Sequence, residues 1–264
     1  MMNDPDVRVS NVRFDRVTMG EAVAIVTAFA LQRVQPRYVC TGNIDHLRLA
    51  QKDEEFAQVY EEADLVLADG MPVVWLSRLA GSPLPERVAG SDLTKRIGRI
   101  SSETNCKVFL LGGLPGSAAR TGDRMMLENP GANIVGSYCP PAELFDSPEE
   151  QTKILRKVRA AQPDILLVAF GAPKQEKWIR KNLLELNVPV TLGVGGSFEM
   201  MAGIRSRAPL AIQKIGLEWL WRFGQEPVRL FRRYFLDGIP FLTKTAFIMA
   251  MSRLISQGST RQND

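Results

Sequence analysis

Six short apolar runs, each closed by a glycine, proline, asparagine or aspartate signal and followed by a helix-like stretch, constrain this chain most. They read "YVCT", "DLVLA", "KVFLL", "NIVGSY", "DILLVAF" and "VTLGVG", between Tyr38 and about Gly196. Runs this apolar leave no face for water, so they predict strands covered on both sides, as in a parallel sheet. Strands alternating with helices then give an α/β fold: a Rossmann-like parallel sheet flanked by helices. Ahead of them, "VRVSNVRFDRV" predicts an accessory hairpin, with a helix from about Met19.

The alternation stops near Arg205, which divides the chain into a catalytic core over 1–204 and an appendage over 205–264. Charge divides at the same place. From Arg205 onward ten Lys or Arg face four Asp or Glu, so the net +4 resolves into +6 for the appendage and −2 for the core. The appendage carries "GLEWLWRFGQEPVRLFRRYF", with aromatics interleaved among arginines. Pro227 opens a helical turn; Val228, Phe231 and Phe235 then recur at i, i+3 and i+7, beside Arg229, Arg232 and Arg233. That is the pattern of a basic amphipathic helix lying in a membrane interface. An ordinary helix with a packed aromatic face and a solvated basic one satisfies it too. Residues 239–255 are apolar but carry Lys244 and Arg253, so no clear membrane span is predicted. The polar, acid-containing amino terminus does not resemble a signal peptide. Cys40, Cys106 and Cys139 share no metal-type spacing and predict reduced, cytosolic thiols.

Ligands of open α/β sheets bind beyond the carboxyl ends of the strands, where helix N-termini and glycine turns offer N–H groups. In "CTGNIDH", Thr41 and Asn43 bring a hydroxyl and an amide to that mouth, either as a cap for a helix near Ile44 or as contacts to a sugar-like ligand. In "ADLVLADG", Asp69 is either turn chemistry or a carboxylate placed to accept a proton from a hydroxyl nucleophile. Asp64, at the other end of that strand, is structural. Gly112, Gly113 and Gly116 let backbone approach a diphosphate, but the spacing is not G-x-G-x-x-G and no ribose-holding acid follows. Phosphate is therefore favoured over NAD. "FGAPKQEKW" puts Pro173 at a first helical position and Lys174 and Gln175 in the first turn. A cation there opposes the helix dipole unless an anion is bound; two solvated side chains are the plainer alternative. "GVGGSFE" forms another anion-compatible turn, with Glu199 nearby.

The only histidine, His46, falls in a helical stretch and reads as structural or surface, which disfavours a Ser-His-Asp hydrolase. No G-x-S-x-G elbow or P-loop occurs, and D-x-D appears only as Asp4 and Asp6 in the polar amino terminus. The expectation is a site for a nucleotide or sugar phosphate, with no metal and no cofactor.

In order, "TGN", "ADLVLADG", "ERVAGSDL", "VFLLGG-PG", "FGAPKQE-W", "GVGGSFE", "RAP", "EWLWR" and "EPVRL-RRY" resemble the WecG/TagA/CpsF glycosyltransferases, glycosyltransferase family 26, over about residues 38–234. The resemblance implies an inverting, metal-independent transferase that moves a sugar from a UDP-sugar to a polyprenyl-diphosphate-linked saccharide. It implies work at the inner face of the cytoplasmic membrane, towards teichoic acid linkage units, enterobacterial common antigen or exopolysaccharides. The family's general base falls on Asp69 and its companion threonine on Thr41, with Arg87 and Gln175 at further active-site positions. Asn43, Gly112, Gly113, Lys174 and Glu199 then line the UDP-sugar site, and Arg222, Arg229 and Arg232 the acceptor diphosphate. Glu199 stands where aspartate is more usual. Family precedent also implies self-association. The donor sugar, whether N-acetylmannosamine, its uronic acid, glucose or glucuronate, stays open. Rival classes are a UDP-sugar hydrolase or epimerase and an NAD-binding oxidoreductase; a nucleic-acid module is disfavoured by the acidic core and the apolar aromatics of the tail.

Overall fold

The computed structural model describes residues 6–214 and 216–260; Asp4 lies outside the described residues. Strands β1 (Asp6–Val9) and β2 (Val12–Asp15) form the expected antiparallel hairpin. The six apolar runs form β3 (Arg37–Gly42), β4 (Leu65–Ala68), β5 (Lys107–Gly112), β6 (Asn133–Tyr138), β7 (Ile165–Ala169) and β8 (Val190–Gly193). They make one parallel sheet in the order β4-β3-β8-β7-β5-β6.

Both faces of this sheet are apolar, which is why the runs show no polar alternation. Cys40, Val66, Phe109, Leu111, Leu166 and Val168 enter one core, and Val39, Leu65, Leu67, Val108, Leu110 and Leu167 the other. The first core is closed by helices Ile44–Ala50, Glu54–Glu62, Pro148–Ala161 and Lys174–Leu186. The second is closed by Met19–Gln32, Gly90–Thr104 and Ser117–Glu128. Right-handed crossovers decide which helix goes where: β3 to β4 and β7 to β8 step one way along the sheet, β5 to β6 the other. Chain leaving neighbouring strands therefore diverges to opposite faces at four boundaries, β3–β8, β8–β7, β7–β5 and β5–β6. Such boundaries, at the carboxyl ends of the strands, are where clefts for ligands form in sheets of this kind.

The hairpin guards the β4 edge. The Asp15 carboxylate accepts the Val66 N–H at 2.6 Å, and the Arg13 guanidinium donates to the Ala63 carbonyl.

The appendage departs from the expected regular amphipathic helix after Pro227, while a second helical piece after Asp237 is present as expected. Helix Glu218–Gln225 is followed by Pro227–Phe231, a π-helical stretch Arg232–Gly238, and the long helix Ile239–Thr260. The wider π turn changes which side chains share a face. Phe231 stacks on Phe235 (5.4 Å between centroids), and Phe235 meets Phe223 edge-on at 5.0 Å. Trp219 meets Tyr234 at 5.8 Å, so most of these aromatics pack on one another. Arg233 turns inward and pairs with Asp45 at 3.0 Å. The last helix lays Phe241, Leu242, Ala246 and Met249 on the first core and leaves Phe247 and Ile248 exposed. Among the described residues no helix is long and apolar enough to cross a membrane.

Candidate active site

Thr41 and Asp69 come together where β3 and β4 end. The buried Thr41 hydroxyl donates to the Gly193 carbonyl at 3.1 Å, across the β3–β8 cleft. The Asp69 N–H donates to the Gly42 carbonyl at 2.8 Å, and its carboxylate accepts the Gly90 N–H at the start of helix Gly90–Thr104. A methyl group on Gly90 would lie 3.4 Å from Thr41 Cγ2 and 3.6 Å from Asp69 Oδ2, so bare backbone keeps the two side chains adjacent. Burial pushes the Asp69 carboxyl above the ordinary carboxylate range. Arg87, the Gly90 N–H and Arg222 oppose that rise, while Glu218 supports it. A carboxylate so placed is a stronger base than a free aspartate. Asn43 acts as the N-cap: its side-chain oxygen accepts the Asp45 N–H at 3.0 Å and the His46 N–H at 3.4 Å. Asp64, at the other end of the sheet, accepts the Tyr38 N–H at 3.0 Å and pairs with Arg37.

Gln175 is buried beneath the cleft. Its carbonyl oxygen accepts the Gly195 N–H at 2.9 Å, and its amide donates to Glu176 Oε1 at 2.9 Å. Gln175 thus fixes the glycine turn after β8, and Glu176 fixes Gln175. Burial pushes the Glu176 carboxyl up to about 7. His46 is buried too: Nδ1 lies 2.6 Å from the Tyr60 hydroxyl, and burial lowers its pKa to about 4. It is a neutral core residue at physiological pH.

Arg87 sits in a four-charge cluster joining core to appendage. Its Nη1 is 2.5 Å from Glu218 Oε2 and its Nη2 3.5 Å from Asp92 Oδ2. Arg207 grips Asp92 through two bonds of 2.6 Å and lies 3.6 Å from Glu218. Asp92, Arg207 and Glu218 escape a sequence reading, although they stand inside "ERVAGSDL", "RAP" and "EWLWR". Pairs separated by more than a hundred residues leave no local pattern.

The turn after β5 is shaped by glycine. Gly112 and Gly113 have φ of +99° and +77°, and a Cβ on Gly112 would come 2.7 Å from the Ala169 carbonyl oxygen. The Leu114 N–H of this turn donates to Glu199 Oε1 at 2.9 Å. The other Glu199 oxygen is buried without a hydrogen-bond partner. A Cβ on Gly196 would meet that oxygen at 3.4 Å, Arg205 Nη1 at 3.6 Å and Arg222 Nη2 at 3.7 Å, so two guanidinium groups converge there. Lys174 goes elsewhere. Its ammonium lies 3.4 Å from the centre of the Phe145 ring and 3.8 Å from Asp146. Of the appendage arginines, Arg222 reaches the core, Arg229 pairs with Glu226, and Arg232 is exposed. Among the described residues no group of three His, Cys, Asp or Glu is placed to hold a metal ion.

The model of the Glycosyl transferase WecG/TagA/CpsF family matches residues 7–254. An N-acetylglucosaminyldiphosphoundecaprenol N-acetyl-beta-D-mannosaminyltransferase of Staphylococcus aureus strain MW2 is 30% identical over 246 residues, covering 92% of this chain and 93% of the relative. The protein of the same name from strain MRSA252 is 31% identical, over 83% of this chain and 85% of its own length. The match takes in the Thr41–Asp69 mouth and the appendage packed against it, and the chain belongs to the WecG/TagA/CpsF family of glycosyltransferases.

Proposed function

We propose that this glycosyltransferase moves a sugar, with inversion, from a UDP-sugar to a polyprenyl-diphosphate-linked saccharide at the inner face of the cytoplasmic membrane. The observation that carries the reading is the Asp69 carboxylate, raised in basicity by burial, beside Thr41 at the mouth of the sheet. The relatives' names support a GlcNAc-diphosphoundecaprenol acceptor and make N-acetylmannosamine the first donor sugar to test.

In the proposed step the acceptor hydroxyl oxygen attacks the anomeric carbon while the bond to the UDP oxygen breaks. The hydroxyl proton passes to Asp69, and UDP leaves with the bonding electrons. Negative charge then grows on the diphosphate, where fixed positive groups act most strongly. Arg205 and Arg222 beside Gly196, with the N–H groups of the Gly112–Gly113 turn, supply them without a metal ion. Thr41 and Gln175 hold the turn after β8 in register, Asn43 orders the neighbouring helix, and Lys174 reaches the donor only by leaving Phe145 and Asp146. Glu199 shapes the donor turn through the Leu114 N–H. Arg229 and Arg232 face the acceptor diphosphate, Arg229 by exchanging Glu226 for phosphate.

The test is UDP release from a panel of UDP-sugars, with and without a short-chain polyprenyl-diphosphate-GlcNAc acceptor, in EDTA, for wild type and Asp69→Asn. Acceptor-dependent release with one donor, lost in the variant, is expected. Release without acceptor would make the protein a hydrolase instead, and undiminished transfer by Asp69→Asn would remove Asp69 from the mechanism.

A further inference from the structure

The cluster of Arg87, Asp92, Arg207 and Glu218 ties the appendage to the core beside Asp69, and two of its pairs differ in kind. Arg207 holds Asp92 by a two-bond fork at 2.6 Å, the geometry that seats one element on another. Glu218 adds little to that grip, being 3.6 Å from Arg207, but it lies 2.5 Å from Arg87. Arg87 and Glu218 side chains are both largely buried, so their charges are weakly screened.

Several groups face Asp69. Arg87 comes from the loop before helix Gly90–Thr104, Glu218 and Arg222 from helix Glu218–Gln225, and Tyr60 from helix Glu54–Glu62. The Gly90 N–H adds a fixed dipole. Arg87 is the strongest of the charges, and Glu218 is the carboxylate set against it.

We propose that Glu218 is a positioning residue for the transfer reaction: it holds Arg87 in a short ion pair and offsets its charge, so that the docked appendage keeps Asp69 a competent base. The inference rests on reading Asp69 as the base. It assigns the appendage a second task besides contact with the acceptor. Without Glu218, Arg87 and Arg222 act on Asp69 unopposed and favour its ionised form, which makes it a poorer proton acceptor. The Arg207–Asp92 fork would still seat the appendage.

The experiment is the pH dependence of kcat/KM for the full chain, comparing wild type, Glu218→Gln, Glu218→Asp and Asp69→Asn, with thermal melts to verify folding. Glu218→Gln is expected to move the acid limb to lower pH by roughly half a unit and to lower the plateau roughly threefold. Glu218→Asp, which keeps the charge, should hold the limb near its wild-type position. In an Arg87→Gln background, Glu218→Gln should move the limb less than in wild type, because the part of its effect that runs through Arg87 is gone and only its direct charge on Asp69 remains. An acid limb that stays in place in Glu218→Gln, at whatever rate, overturns the proposal while leaving Asp69 as the base. Retained transfer by Asp69→Asn removes the base assignment and this proposal together.

Discussion

Glu176 is buried, and only one of its carboxylate oxygens is hydrogen-bonded, so the folded protein favours its neutral form. Its pKa is raised by burial to about 7, against an ordinary value of 4.5. Below about pH 4.5 both folded and unfolded chains carry the proton, and Glu176 costs nothing. As pH rises towards 7 the unfolded chain ionises first, so stability falls across that window and levels off above it. The fall is about 3 kcal/mol at most. Glu176→Gln keeps an oxygen for the Gln175 amide and does not titrate. Urea unfolding at pH 5 and pH 8 should therefore show the variant gaining on wild type at the higher pH; an equal pH response in both would refute the assignment. The placement of Asp69 and Thr41 was legible because residues at or just past the carboxyl end of a parallel strand lie at the mouth of the sheet. Glu176 was not, because its burial depends on how helix Lys174–Leu186 is rotated against the sheet, which neighbours in sequence do not encode.

The strands were legible for a reason of the same kind at the next scale. A strand covered on both faces must be apolar throughout, so β3, β4, β5, β7 and β8 announce themselves, and glycines mark where each turns. Those glycines differ in what they protect. Gly112 has φ +99° and its missing Cβ would strike the Ala169 carbonyl, whereas Gly116, at φ +78°, has nothing within 4 Å. Gly116→Ala should cost about 1 kcal/mol, the left-handed penalty alone, and Gly112→Ala about 3 kcal/mol or more. Thermal denaturation orders the two; equal losses would mean that the β5–β7 cleft yields more easily than its packing implies. The helical appendage was less legible. The i, i+3, i+7 spacing of Val228, Phe231 and Phe235 reads as one stripe, but Pro227 and the π-helical stretch Arg232–Gly238 break the period. Aromatics then pack on each other across the break, a long-range preference that spacing does not reveal.

At the scale of the whole molecule, the division of charge at Arg205 and an appendage closing over the sheet's mouth could be read from sequence, but the residues that dock it, Glu218 and Arg207 on Arg87 and Asp92, could not. That docking sorts the appendage's apolar side chains into two sets. Phe241, Leu242, Ala246 and Met249 pack on the core, while Phe247 and Ile248, on the same helix, stay 67% and 52% exposed, with Lys244 close by in sequence. Val228 is 94% exposed on the preceding stretch. We infer that this outward set enters the lipid interface while the inward set holds the helix to the sheet. Lipid burial of a phenylalanine and an isoleucine is worth a few kcal/mol, and nearby basic residues add attraction to anionic headgroups. Phe247→Ser with Ile248→Ser should therefore weaken sedimentation with phosphatidylglycerol vesicles by at least about tenfold, with the thermal melt unchanged. Leu184→Ser is the control: Leu184 is 82% exposed, but sits near the end of helix Lys174–Leu186, towards the amino ends of the strands. If all three serines weaken vesicle binding alike, general surface hydrophobicity is responsible; if none does, the outward face of the last helix does not bind lipid. Loss confined to the helix pair, with UDP release on a soluble acceptor analogue intact, would separate holding the membrane from completing the site.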